Sequence, residues 1–211
     1  MRKKERIAAI FTRFEVETAH PKTELRYFSP FTLVAAVALS AQATDVGVNK
    51  ATEKLFADAP DAESMVALGL EGIMERIKTI GLYRNKAKNL IAMSQIIIDQ
   101  YKGELPLTRE ALQSLPGVGR KTASVVLNEL GIEPAIAVDT HVFRVAHRLD
   151  LSRAKTPDAV ELDLTAAIPM AWLSRAHHWL ILHGRYVCQA RKPRCAACLI
   201  ADLCPSRQSE V

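Results

Sequence analysis

The chain has 211 residues, 49% of them hydrophobic and 24% charged, ordinary globular values that exclude collagen-like, disordered and disulfide-dense classes. A chain of this length buries roughly 70% of its unfolded surface, so its core needs neither a metal nor a disulfide to form. The longest uncharged apolar run, Phe31 to Leu39, falls short of the about 20 residues that cross a bilayer. The stretch Ile7 to Phe11 is broken by Thr12 and Arg13, where a signal peptide would stay apolar, so a cytoplasmic protein with no membrane partner is expected.

The net charge of +5, from 28 basic and 23 acidic residues, is concentrated at the two ends. Residues 1–6 carry +3 (Arg2, Lys3, Lys4 and Arg6 against Glu5), and residues 184–211 carry another +3 (Arg185, Arg191, Lys192, Arg194 and Arg207 against Asp202 and Glu210). Solvated terminal charge is one reading; a surface facing a polyanion is the other, if the fold brings the ends together.

Amphipathic helical spacing recurs along the chain and strand alternation is nearly absent, which predicts an all-α protein of nine or ten helices. Ser29 and Pro30 open a helix with Val34, Ala35 and Leu39. A second, from about Asp45, buries Val48, Ala51, Leu55 and Phe56; another carries Ile73 and Ile77 and stops near Gly81. Asn85 to Tyr101 places Ala87, Leu90, Ile91, Ile97 and Ile98 on one face, and Gly103 closes it. Thr156 and Pro157 start a further helix, and Ala171 to His183 is expected to end at Gly184.

Thr108 to Gly131 reads as two helices joined by the reversal Leu115-Pro116-Gly117-Val118-Gly119. Glycines at 117 and 119 are expected to take positive φ and admit a phosphate to the main chain, with Val118 as an apolar plug between them. Such a hairpin grips a nucleic-acid backbone without reading sequence; an ordinary αα-hairpin is the alternative. Lys121 lies in the first turn of the second helix, where the dipole disfavours an ammonium ion and partial burial would add to the effect, favouring a nucleophilic amine. A solvated charge or phosphate contact is the plainer role. The run Ile136-Ala137-Val138-Asp139-Thr140-His141 then enters a helix whose N-cap is either Asp139 or Thr140. A carboxylate there can also stabilise positive charge developing on a sugar.

The four cysteines follow the spacing C-x6-C-x2-C-x5-C at Cys188, Cys195, Cys198 and Cys204. Reduced thiols in the cytoplasm argue against two disulfides and for a metal site, with one cubane cluster or zinc as the candidates. Of the six histidines, His177 and His178 are expected on different helix faces, where they do not easily share one ion, and most of the six read as core or surface residues.

Leu115-Pro116-Gly117-Val118-Gly119-Arg120-Lys121, followed by Val138-Asp139-Thr140-His141 with Asp139 18 residues after Lys121, resembles the helix-hairpin-helix DNA glycosylases, most closely the endonuclease III family. Leu39 to Asp45, Ile80 to Tyr83 and the cysteine loop extend the resemblance over about residues 20–205. It implies a base excision repair enzyme, a bifunctional DNA glycosylase and abasic-site lyase. Lys121 would be the Schiff-base nucleophile and Asp139 the carboxylate assisting base loss, with His141 as a neighbour. It also implies that Gln42 fills the gap left by an extruded nucleotide, that Leu82 wedges into the base stack, and that Gly117, Val118, Gly119, Arg120, Arg185, Arg191 and Lys192 contact DNA. From spacing alone, Leu82 reads more simply as a core residue.

The cysteines would then hold a [4Fe-4S] cluster, a 2− unit that brings the net charge to about +3. Two domains are implied: 23–133, a six-helix barrel carrying the hairpin (108–131), and a cluster domain of 1–22 with 134–211. The implied partner is double-stranded DNA containing oxidised pyrimidines or abasic sites, met by a monomer in the bacterial cytosol and nucleoid. An adenine DNA glycosylase would look different, lacking lysine at 121 and continuing past the cluster loop, whereas this chain reaches Val211 seven residues after Cys204. A non-catalytic DNA-binding module is the reading from another class. Gln113 stands where some relatives carry a glutamate, and no acid is assigned there.

Overall fold

Side-chain caps set the helix starts: Ser29, Thr44, Asp61, Thr108, Asp139 and Thr156 each accept a hydrogen bond from the backbone N-H three residues on. The computed structural model describes residues 1–207; Glu210, counted in the C-terminal charge, lies outside them. Among the described residues there are ten α-helices and no strand: α1 Lys3–Glu17, α2 Pro30–Ser40, α3 Asp45–Asp58, α4 Ala62–Ile77, α5 Tyr83–Tyr101, α6 Arg109–Ser114, α7 Arg120–Glu129, α8 Thr140–Arg148, α9 Pro157–Ala167 and α10 Met170–Tyr186. Two single 3-10 turns follow, Cys195–Ala197 and Ala201–Leu203. Among the described residues no helix is long and apolar enough to cross a membrane.

The chain divides into two compact units, Thr23–Ile132 and a discontinuous one of Met1–Lys22 with Glu133–Val211. The first contains α2 to α7. Helix α2 is its centre: Phe31 to Val37 and Leu39 are buried almost without interruption, because α3, α5 and α7 all pack on it. A helix apolar on every side belongs in a core. Leu55, Met65, Ile73, Ile77, Leu90 and Met93 complete that core, and Leu112, Leu115 and Val118 bring the hairpin into it. Helix α4 is interrupted at Gly69, whose φ of 72° breaks the helical path.

In the discontinuous unit, Ile7, Ile10, Phe11 and Phe14 of α1 pack against a core from α8, α9 and α10. The ring of Phe14 stacks on Trp179 at 6.3 Å and that of Phe11 on Trp172 at 6.1 Å. Much of the N-terminal charge has internal partners: Arg6 donates to the carbonyls of Leu149 and Leu203, and Arg13 pairs with Asp202. Those contacts join α1 to the segment that carries the cysteines.

One expected boundary is corrected. Helix α10 does not end at Gly184 but continues to Tyr186. Gly184 is a packing residue: a Cβ there would lie 3.0 Å from the Cβ of His141 and from Cγ2 of Val145. It lets α8 and α10 approach, and the helix has no reason to stop.

Candidate functional site

Leu115 ends α6, and the N-H of Val118 donates to its carbonyl at 3.0 Å, closing the reversal before α7 begins. Only Gly117 has positive φ, at 81°, where a Cβ would also meet that of Asn89 at 3.1 Å. Gly119 does not, contrary to expectation: it is the N-cap of α7 with φ −87°, and a Cβ there would meet nothing within 4 Å. Its backbone faces open space, accessible to a ligand. Val118 is buried in the core beneath the turn rather than presented between the glycines. Arg120 and Lys121 are exposed in the first turn of α7, where N-H groups lack intrahelical partners. The partial burial expected of Lys121 is therefore absent.

A cleft of about 190 Å³ adjoins the hairpin, lined by Gln42, Leu82, Asn85, Lys86, Pro116 and Gly117 among others. Gln42 and Leu82 both adopt left-handed backbone, at φ 57° and 60°, which side chains other than glycine take at a cost. Leu82 is 59% exposed, so the reading of it as a core residue is not met. Lys86 also lines the cleft, and the sequence reading missed it. It is buried, and its Nζ donates to the carbonyls of Leu39 at 2.9 Å and Ala41 at 2.7 Å. Burial lowers its pKa. The available signal was a charged residue one turn before Leu90 on the buried stripe of α5.

In the discontinuous unit Asp139, half-buried, is the N-cap of α8: Oδ1 accepts from the N-H of Val142 at 2.8 Å. Thr140 is the first helical residue instead. One turn on, Arg144 lies 3.3 Å from Nδ1 of His141 and donates to the carbonyls of Gly184 at 2.7 Å and Cys188 at 3.1 Å. The start of α8 and the first cysteine are thus tied to one guanidinium.

The four cysteines, all free thiols, line one recess together with Arg148 and His183. Among the described residues no three His, Cys, Asp or Glu side chains converge on a single-ion geometry. Burial raises the pKa of Cys198 and Cys204, and the neighbouring sulfurs raise it further, so ionised thiols there need a cationic core to offset them. That donor set fits an iron–sulfur cluster. Arg148, which the sequence reading also missed, reaches Sγ of Cys188 at 3.3 Å and donates to the carbonyls of Gln189 at 2.7 Å and Ala190 at 2.8 Å. Arg191 and Lys192 are exposed on this loop, Arg185 is half-buried on α10 and has partners, and Gln113 is exposed on α6. His177 and His178, expected on different faces, are both buried with rings in edge-to-face contact at 5.1 Å, because α10 is enclosed on more than one side.

Residues 35–170 match the model of the HhH-GPD superfamily base excision DNA repair protein, and residues 188–204 the iron-sulfur binding domain of endonuclease III. Endonuclease III of Escherichia coli K12 is 53% identical over 199 residues, 94% of each chain, and that of Haemophilus influenzae 52% identical over 208, covering 99% of this chain and 98% of the relative. Among solved structures, a trapped endonuclease III–DNA covalent intermediate and a non-covalent endonuclease III–DNA complex each match with a TM-score of 0.90 at 42% identity, over 98% of this chain and 97% of theirs. The chain therefore belongs to the endonuclease III family of the HhH-GPD superfamily, base excision repair enzymes that act on DNA as glycosylases and abasic-site lyases and carry a [4Fe-4S] cluster.

Proposed function

We propose that Lys121 is the nucleophile of both activities and that the substrates are oxidised pyrimidines in double-stranded DNA. Nζ of Lys121, having lost a proton, attacks C1′ of the extruded nucleotide as the N-glycosidic bond breaks, and the departing base takes up a proton. Opening of the sugar ring leaves a protonated Schiff base on the lysine. Loss of a proton from C2′ then expels the 3′ phosphate by β-elimination, cleaving the C3′–O bond. The carboxylate of Asp139 stabilises the positive charge on the sugar and receives the lysine's proton. The observation that carries this reading is the exposed position of Lys121 in the first turn of α7, two residues after Gly119, whose backbone faces open space. The helix N-terminus there also offers free N-H groups that hold phosphate.

Gln42 and Leu82 enter the stack and fill the space left by the flipped nucleotide, offsetting an unstacking cost of a few kcal/mol. Gly117, Gly119, Arg120 and His141 hold the DNA at the lesion, Val118 contributes through its main chain while its side chain anchors the turn in the core, and Arg185, Arg191 and Lys192 contact phosphates farther along. Cys188, Cys195, Cys198 and Cys204 hold the cluster, which supplies structural order to the loop. The two units are read as the helical hairpin domain and the cluster domain of a monomer working in the bacterial cytosol at the nucleoid. The resemblance of the motifs, rather than any shape of the pocket, supports the lesion class.

Borohydride reduction on a thymine-glycol duplex tests the assignment. The unsubstituted chain is expected to form a covalent adduct and release free base, and Lys121→Gln to form none. Trapping that survives the substitution would overturn the role of Lys121. Salt-sensitive binding with neither base release nor strand cleavage would instead favour a non-catalytic binder.

A further inference from the structure

Lys86 is a buried cation that the chemistry above does not use. Among the described residues no carboxylate pairs with it; two backbone carbonyls hold its ammonium group. Burying a charge in this way is costly, and neutral side chains of similar size fill such space without the cost. What the lysine does that they do not is donate two hydrogen bonds in fixed directions.

Those bonds end at a particular place. Leu39 belongs to the last turn of α2 and Ala41 is its C-cap, so their carbonyls are among those the helix leaves without intrahelical partners. The next residue is Gln42, with its strained φ of 57°. At its other end Lys86 sits in the first turn of α5, where its own N-H donates to the carbonyl of Leu82 at 3.1 Å, the second strained residue. One residue is thus bonded through its main chain to the Leu82 loop and through its side chain to the Gln42 loop, more than 40 positions apart in sequence. The loops also meet directly, since a Cβ on Gly81 would lie 4.0 Å from the carbonyl oxygen of Gln42.

We propose that Lys86 is a positioning residue for lesion extrusion, clamping the Gln42 and Leu82 loops together so that both side chains enter the duplex as one preformed unit. This rests on the reading of Gln42 and Leu82 as DNA-contact residues. Preorganisation of this kind removes the ordering cost that two independent loops would bear on insertion. Lys86 touches neither sugar nor base, and it acts through Gln42.

The test compares Lys86→Met, Gln42→Ala and the double variant on two substrates. One is a thymine-glycol duplex, which demands unstacking and gap filling; the other is a single-stranded oligonucleotide with an abasic site, which demands neither. Lys86→Met is expected to slow single-turnover cleavage of the duplex by about ten-fold or more and borohydride trapping on the single strand by less than about three-fold. The double variant should be no slower on the duplex than the slower single variant, within about two-fold, because both changes disable the same device. Lys86→Arg, which keeps the charge and the donors, should recover most of the duplex rate.

Equal losses on both substrates, or losses that multiply in the double variant, would overturn the proposal and leave a merely structural lysine. If Lys86→Met does not fold, Lys86→Arg and Lys86→Gln decide on the same ratio of substrates, and a ratio that neither moves overturns it as well. A Gln42→Ala variant with full duplex activity removes the reading of Gln42 and this proposal with it. The role of Lys121 is untouched by any of these outcomes, since single-strand trapping reads it separately.

Discussion

Gly117 and Gly119 stand two residues apart in one hairpin, yet the fold requires only the first. Gly117 has φ 81° with Asn89 at its back, so a side chain there meets both backbone strain and a steric neighbour. Gly117→Ala should lower stability by about 1–3 kcal/mol in urea unfolding. Gly119 has ordinary φ and nothing within reach of a Cβ. Gly119→Ala should leave stability unchanged or raise it by about 0.4–1 kcal/mol through the unfolded chain, while weakening binding to an abasic-site duplex. A Gly119→Ala variant that unfolds early, or one that binds DNA as before, would contradict the reading of this glycine as space kept for a phosphate. The pair also shows what a motif conveys: two glycines announced a tight turn and a phosphate site, but which served which purpose depended on φ and on Asn89, neither of which is written in the hairpin itself.

At the level of elements, caps and apolar periodicity were legible because they are local. Ser29, Thr108 and Thr156 cap the helices expected of them, and Val48, Ala51, Leu55 and Phe56 are buried as their spacing predicts. Gly184 was misread because its reason lies 40 residues away, in the approach of α8. Lys86 and Arg148 escaped for the same cause, since their partners are backbone carbonyls of other segments. The positions of Gln42 and Leu82 on one cleft were likewise invisible from spacing, which favoured burial for Leu82.

Magnitudes decide what Gly184→Ala would do. Alanine gains about 0.5–1 kcal/mol over glycine inside a helix, whereas forcing a methyl into a packed contact costs typically about 1–3 kcal/mol. With Cβ atoms at 3.0 Å from His141 and Val145 the second effect wins, so a net loss on the order of 1 kcal/mol is expected in equilibrium unfolding. A stabilised variant would mean that α8 can move aside without penalty. Because His141 and Asp139 open α8, a shift of that helix should also reduce base release.

For the whole molecule, the order of the chain separates its two cores. Thr23–Ile132 is continuous, and its core draws on no residue before Leu25. The other unit is completed only when α1, made first, meets the segment after Glu133, made last. Ile7, Ile10, Phe11 and Phe14 are each less than 5% exposed, and burying four such side chains contributes roughly 6–12 kcal/mol. That is comparable to the entire stability of an ordinary domain, about 5–15 kcal/mol. Removing residues 1–17 should therefore unfold the discontinuous unit outright, including the loop that Arg6 and Arg13 hold. The continuous unit keeps every core residue of its own. The expected result is a protein that purifies without the visible absorbance of the cluster, yet still melts cooperatively with protected amides confined to α2–α7. Retention of the cluster in this variant would show that the cysteine loop closes without α1, and loss of all cooperative melting would show that the continuous unit depends on the other for its stability.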